Sequence, residues 1–230
     1  MNYLSFSLWG DKPIYNVGAI KNSELSKKIY PNWKMIIYYD NTVPKKTIEE
    51  LKKNEIELID MTGSKIYGEF WRFLCVENDN SEYSIFRDCD SRINFREKFA
   101  VDEWINSKKT LHIMRDHPAH KIPFGNDSIG ILAGMWGIKG SIKNIRNEIL
   151  EFQKENKHVY GVDQKFLKKI YSKYINDNCT HDEFFEKKPF PTKREDTLFV
   201  GGRIDEFDKP LGNDHLVLLK YDSKLRVGGV

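Results

Sequence analysis

Tyr83-Ser84-Ile85-Phe86-Arg87-Asp88-Cys89-Asp90-Ser91-Arg92 opens as an apolar strand and ends in two carboxylates separated by one residue. On an extended chain, residues i and i+2 project to the same side. In open α/β sheets, ligands bind beyond the carboxyl ends of the strands. Adjacent acids in a cleft repel each other unless a cation lies between them, and oxygen donors select a hard divalent ion such as Mg²⁺ or Mn²⁺. Such an ion bridges the phosphates of a nucleotide and offsets their charge.

The chain around this stretch alternates strand and helix signals. Upstream, Leu4 to Leu8 reads as a strand, and a helix from about Ala19 to Ile29 must stop before Pro31. The continuous apolar run Met35-Ile36-Ile37-Tyr38-Tyr39 is a strand covered on both faces. Thr42 is placed to cap a short helix with Pro44 in its first turn and Ile48 and Leu51 facing inward. Ile56 to Ile59 is the next strand, and a helix through Glu69 to Val76 leads back to Tyr83. Strands alternating with helices over short connections imply a mostly parallel sheet.

Downstream, Phe95, Phe99 and Trp104 lie on a helix ending near Asn106-Ser107, and Thr110 to Met114 is a strand. Ser128 to Lys139, rich in Gly and apolar residues, suggests strand and loop close to a ligand. Ile142, Ile145, Ile149 and Phe152 form one helical stripe, and Val162, Phe166 and Ile170 another. Ile175 to Pro210 is polar and irregular, with a short strand expected at Leu198 to Val200. His215 to Tyr221 reads as a final strand. With no internal repeat or low-complexity linker, residues 1–230 are read as a single domain whose irregular tail folds over the sheet.

Composition narrows the function classes. In 230 residues, 40% are apolar, including 14 Phe, 11 Tyr and 5 Trp, enough to bury a substantial core and unlike a disordered chain. Lys and Arg number 37 against 34 Asp and Glu, a formal charge of +3. That balance is too even for bulk nucleic-acid binding. The paired lysines (Lys45-Lys46, Lys52-Lys53, Lys168-Lys169) read as solvated helix faces. No 18-residue window lacks charge, so no membrane span is expected, and Leu4 to Trp9 lacks the flanks of a signal peptide. Three cysteines without CxxC spacing argue against a disulfide framework or a cysteine zinc site, and for a reducing compartment; the lack of a membrane anchor suggests a cytoplasmic enzyme or a domain of something longer.

The Phe86–Arg92 stretch, with Arg96-Glu97-Lys98 and Val101-Asp102-Glu103-Trp104, resembles a family of small glycosyltransferases of the GT-A fold. Their strand-end motif is F-R-D-x-D-S-R. Ile29-Tyr30-Pro31-Asn32-Trp33, Phe70-Trp71-Arg72-Phe73, His112-Ile113-Met114-Arg115-Asp116-His117-Pro118, Gly134-Met135-Trp136-Gly137, Tyr160-Gly161-Val162-Asp163-Gln164 and Thr180-His181-Asp182 agree with it. The likeness spans roughly residues 15 to 210, with Cys89 a departure that leaves the carboxylates untouched. It implies a GT-A (Rossmann-like) α/β fold and a metal-dependent transferase. Such an enzyme moves a hexose from a nucleoside diphosphate sugar, UDP-linked, to a hydroxyl on a glycan or protein.

The resemblance also implies roles. Asp88 and Asp90 hold Mn²⁺ or Mg²⁺, with Asp90 the direct ligand and His181 a third ligand from the C-terminal segment. Asp163, paired with Gln164 at a helix start, is the first choice for general base or for support of an oxocarbenium-like centre; Asp116 is the second. Arg72 and Arg87 pair with phosphate or with Asp88. Phe6, Trp9 and Tyr15 flank the end of the first strand, where a ring stacks on the base. Trp136 forms a sugar wall. Two other classes remain open, a metal-dependent phosphohydrolase and a nucleotide-sugar-binding module without turnover. The former fits poorly, because Asp90 is followed by Ser91-Arg92 and a helix rather than by further loop carboxylates.

Overall fold

The computed structural model describes residues 1–120 and 130–227, with side chains through Tyr221. A seven-stranded sheet runs in the order β3-β2-β1-β4-β6-β5-β7. Its strands are β1 (Asn2–Leu8), β2 (Lys34–Tyr39), β3 (Glu57–Asp60), β4 (Tyr83–Phe86), β5 (Leu111–Arg115), β6 (Trp136–Lys139) and β7 (Asn178–Asp182). Only β6 is antiparallel to its neighbours, β4 and β5. The α/β class and mostly parallel sheet read from the sequence are therefore present.

Alternation along the strands divides the core between two faces. Tyr3, Ile36, Tyr38 and Phe86 pack with Phe70, Phe73, Trp136 and Phe166. Leu4, Phe6, Leu8, Ile37 and Ile85 pack with Ala19, Leu51, Val101 and Trp104. The flanking helices are α1 (Pro13–Ile29), α2 (Lys45–Lys53), α3 (Gly68–Trp71, continued as a 3₁₀ turn over Arg72–Glu77), α4 (Phe95–Ser107), α5 (Ile145–Glu155), α6 (Val162–Tyr174) and α7 (Asp214–Val227). None of the helices in the described residues is long and apolar enough to cross a membrane.

Strand β1 is parallel to β2 on one side and to β4 on the other. From β1 the chain first builds outward through β2 and β3, then returns to place β4 on β1's opposite edge. That reversal opens a crevice above the carboxyl ends of β1 and β4, the position where open α/β sheets bind ligands.

Helix α1 clamps the loop after β4. Its buried face is mostly small and polar, with Asn16, Gly18, Ala19, Asn22, Ser23 and Ser26, and ends in Ile29. Asn22 Nδ2 donates to the Ser91 carbonyl at 2.8 Å, and Ile93 N–H donates to Asn22 Oδ1 at 3.0 Å. Gly18 allows the close approach, since a Cβ there would lie 1.9 Å from the Cys89 carbonyl oxygen. The helix starts at Pro13, six residues before the expected start, because a polar contact face gives no apolar stripe to read.

Four local expectations are corrected. Thr42 is not the cap of α2: Pro44 occupies that position, while the Thr42 hydroxyl accepts from Gly10 N–H at 2.6 Å. Leu198 to Val200 is not a strand, and Val200 N–H donates to Asp116 Oδ2 at 2.9 Å instead of to a ladder. The expected final strand at His215 to Tyr221 belongs to α7, whose 14 residues exceed an ordinary strand. Strand β7 was not foreseen, because Asn-Cys-Thr-His-Asp has no apolar run.

Candidate active site

A cavity of about 590 Å³ lies over the crevice between β1 and β4. Leu8, Trp9 and Gly10 from the end of β1, Asp88, Cys89 and Asp90 from the end of β4, and Asp163 and Gln164 from the start of α6 all border it. Ser128 and Ile129, at the start of the Gly-rich stretch, lie outside the described residues; Leu132, Ala133, Gly134 and Met135, further along it, line the wall.

The buried Arg72 organises this wall. Its guanidinium is paired with Asp88 through Nη1 and with Asp163 through Nη2, the latter at 2.8 Å. Nη1 also donates to the Arg87 carbonyl at 3.2 Å. Burial alone would lower the Arg72 pKa, but the two carboxylates hold it above its ordinary value. Asp163 is pushed up by burial and pulled back by Arg72, and its Oδ1 accepts from Gln164 N–H at 2.8 Å. Arg72 Nε and Gln164 Oε1 are buried without a hydrogen-bond partner.

Asp90 is pushed up to about 6 by burial first and the Asp88 carboxylate second. A hard divalent cation beside Asp90 would offset the burial and the Asp88 charge that disfavour its ionised form. No group of three His, Cys, Asp or Glu side chains converges on a metal position among the described residues.

Gly134 faces this pair. A Cβ at that position would sit 1.8 Å from Asp88 Oδ2 and 2.5 Å from its Cγ. Gly134→Ala is therefore expected to turn the Asp88 carboxylate away while leaving the sheet intact. Calorimetric titration of UDP in Mn²⁺ should show affinity falling at least tenfold, with the melting temperature nearly unchanged.

The other sequence-derived candidates divide. Trp9, 41% exposed, packs its edge on Trp71 at 6.0 Å and borders the cavity. Tyr15 does too, its phenol pushed up by burial and then by Asp90 and Asp88. Phe6 does not: it is fully buried in the core beneath. Trp136 is also fully buried, stacked near Phe86 at 4.2 Å, so Gly134 and Met135 form the wall in its place.

Arg87 points away from the cavity, its Nε donating to Glu97 at 3.1 Å and its Nη1 to the Phe86 and Trp136 carbonyls. Asp116 is withdrawn as well. Buried at the end of β5, it accepts from Arg96 Nε and Nη2 at 2.8 Å each, from Arg194 at 3.0 Å and from Val200 N–H. Arg194 and Val200 thereby tie the C-terminal segment to the sheet. His181 lies on the edge strand β7, three strands from β4, with Nδ1 3.0 Å from His112 Nε2. Burial lowers the pKa of both imidazoles, and the structure does not bring His181 to the Asp88/Asp90 pair.

Arg203 and Glu69 are among the cavity residues that escaped the sequence reading. Arg203 faces Asp90 from the strap after Gly201-Gly202, where Ile204 N–H donates to the Asp90 carbonyl at 2.7 Å. Glu69 reaches the cavity from α3. Neither lies in a motif or an apolar pattern.

No family model matches this chain, and no curated protein is similar to it. Solved structures are. Galactosyltransferase LgtC in complex with donor and acceptor sugar analogs is 11% identical, covering 80% of this chain and 74% of that one, at a TM-score of 0.49. A glycosyltransferase involved in glycosylation of the major capsid of PBCV-1 is 14% identical over 79% of this chain and 80% of its own, at 0.46. 4-Diphosphocytidyl-2C-methyl-D-erythritol synthase from Anaerococcus prevotii is 12% identical over 85% and 91%, at 0.45. Likeness at this level carries no argument about activity.

Proposed function

We propose that this protein is a metal-dependent glycosyltransferase that moves a hexose from a nucleoside diphosphate sugar, UDP-linked, to a hydroxyl acceptor. The observation that carries the reading is the Asp88/Asp90 pair at the end of β4, on the wall of a cavity at the sheet's reversal point. The F-R-D-x-D-S-R stretch supports it. Asp88 and Asp90 would hold Mn²⁺ or Mg²⁺, which when bound neutralises charge on the departing diphosphate.

Trp9 and Tyr15 stand at the end of β1, where a base can stack. Asp163 already accepts hydrogen bonds on both oxygens. It is better suited to offset positive charge at the reacting sugar carbon than to take the acceptor's proton. Arg72, paired here with both Asp88 and Asp163, would keep Asp163 in place when Asp88 turns to the cation.

The test is UDP release from a panel of UDP-hexoses in Mn²⁺, run beside hydrolysis of p-nitrophenyl phosphate. Chelator-sensitive UDP release with negligible phosphatase turnover is the expected result. Release indifferent to EDTA, or faster turnover of the phosphate ester, would overturn the reading.

A further inference from the structure

Asp116 is withdrawn from the cavity, but the chain that follows it returns to the cavity wall at His120. This residue closes a 3₁₀ turn over Pro118–His120, just after β5. Asp116 N–H donates to its Nδ1 at 3.0 Å. A ring nitrogen that accepts carries no proton, so the neutral imidazole is protonated on Nε2. Burial first, then the neighbouring His117, pushes the His120 pKa down to about 3, which keeps the ring neutral. Among the described residues no acceptor meets Nε2–H.

The same turn uses this device twice. Ala119 N–H donates to His117 Nδ1 at 3.0 Å, and His117 Nε2–H donates to the Asp214 carbonyl, also at 3.0 Å, where α7 begins. Backbone N–H groups thus set the tautomer of both histidines. His117 spends its donor on the fold, whereas His120 keeps one at the cavity wall. Phe199 packs on both rings, with centroids 4.7 Å and 5.6 Å away. An imidazole already held by its turn and its packing costs little further ordering when a ligand accepts from it.

Sheet order indicates which part of a ligand arrives there. Trp9 and Tyr15 border the cavity on the β1 side, Asp88 and Asp90 lie beyond β4, and Gly134 and His120 lie on the far side, before β6 and after β5. With a base at the β1 end and a diphosphate at the Asp88/Asp90 pair, the sugar bonded to the outer phosphate extends toward β6 and β5. A neutral N–H suits that place. It offers a hydroxyl oxygen one directed hydrogen bond and puts no positive charge beside the reacting carbon.

We propose that His120 Nε2–H donates to a hydroxyl of the donor hexose and so helps set which hexose is accepted. This rests on the transferase reading above.

Calorimetry in Mn²⁺ tests it by comparing UDP, the UDP-hexose that the parent binds most tightly, and monodeoxy analogues of that sugar. His120→Asn keeps an acceptor near the Nδ1 position for Asp116 N–H but removes the donor from the cavity. His120→Gln places an amide N–H near the Nε2 position. The asparagine variant should lose about tenfold in UDP-hexose affinity, with the glutamine variant within about threefold of the parent and UDP affinity nearly unchanged in both. One monodeoxy analogue should bind the parent about tenfold more weakly than the full sugar, a difference that the asparagine variant no longer shows. An asparagine variant that binds the UDP-hexose as the parent does would overturn the proposal. So would equal losses for UDP and UDP-hexose, equal losses in the two variants, or a parent indifferent to every monodeoxy analogue. Failure of the parent chain to bind UDP in Mn²⁺ would instead sink the transferase reading, which separates the two outcomes.

Discussion

Asp90→Asn is expected to lower UDP affinity in Mn²⁺ at least 100-fold, about 2.8 kcal/mol, and to reduce sugar transfer to near background. The amide keeps the shape of the side chain but removes the charge that would hold the cation. The same substitution should stabilise the metal-free protein at pH 8. In the fold the Asp90 pKa is raised to about 6 from 3.8, so ionisation is disfavoured by burial and by Asp88. A carboxyl moved that far corresponds to at most about 3 kcal/mol, reduced by whatever relaxation the loop allows.

The sign follows from that direction. Stability contributed by protonated Asp90 is complete below about pH 3.8 and lost as pH rises through about 6. The melting temperature of the asparagine variant should therefore exceed the parent's by several degrees at pH 8 in EDTA and converge with it near pH 4. Adding Mn²⁺ and UDP should reverse the order by stabilising the parent alone. A variant that binds UDP in Mn²⁺ as tightly as the parent would remove Asp90 from the site.

Glu97→Ala is expected to be the most damaging single change to the fold. Arg87 and Glu97 side chains are 1% and 2% exposed and 3.1 Å apart, and Tyr30 Oη donates to the same Glu97 oxygen at 3.0 Å. Burial pushes the Glu97 carboxyl up, and Arg87 followed by Tyr30 pulls it back. Removing one member of a buried ion pair leaves the other charge uncompensated and costs about 3–5 kcal/mol. For a chain of this length that is a drop of roughly 6–20 °C in melting temperature. Replacing both together, as Arg87→Met with Glu97→Leu, should cost much less, because no charge is stranded. A loss below about 1 kcal/mol for Glu97→Ala by chemical denaturation would contradict the assignment.

This pair shows where the sequence was legible and where it was not. Strands β1, β2 and β4 are buried on both faces, so their apolar runs stood out, and the carboxylates at the end of β4 followed from the same stretch. Arg87 lies beside those acids in sequence, yet its side chain points the other way, toward α4, where Asn94 caps the helix that presents Glu97. Proximity along the chain suggested a phosphate contact; alternation on an extended strand ruled it out.

Asp116 and His181 were misplaced for a related reason. Both sit in motif-like stretches, but the partners that bury them, Arg194 for Asp116 and Phe190 for His181, come from a tail with no periodicity to read. Arg72 joins carboxylates 16 and 91 residues away, and Glu69 meets His158 across 89. Spacing rules for helices and strands say nothing about such separations. The first turns of α1 were hard to read because the contacts of Asn16, Gly18 and Asn22 are hydrogen bonds and one close backbone approach.

The central claim is that Asp88 and Asp90 hold a divalent cation against a diphosphate. A crystal soaked in MnCl₂ and UDP, with data collected at a wavelength where manganese scatters anomalously, tests it directly. The account expects an anomalous peak within coordination distance of an Asp90 carboxylate oxygen, with phosphate oxygens on its opposite side and Asp88 turned from Arg72 toward the ion. A peak elsewhere in the chain would contradict it. So would UDP ordered in the cavity with no manganese beside it and Asp88 still paired with Arg72.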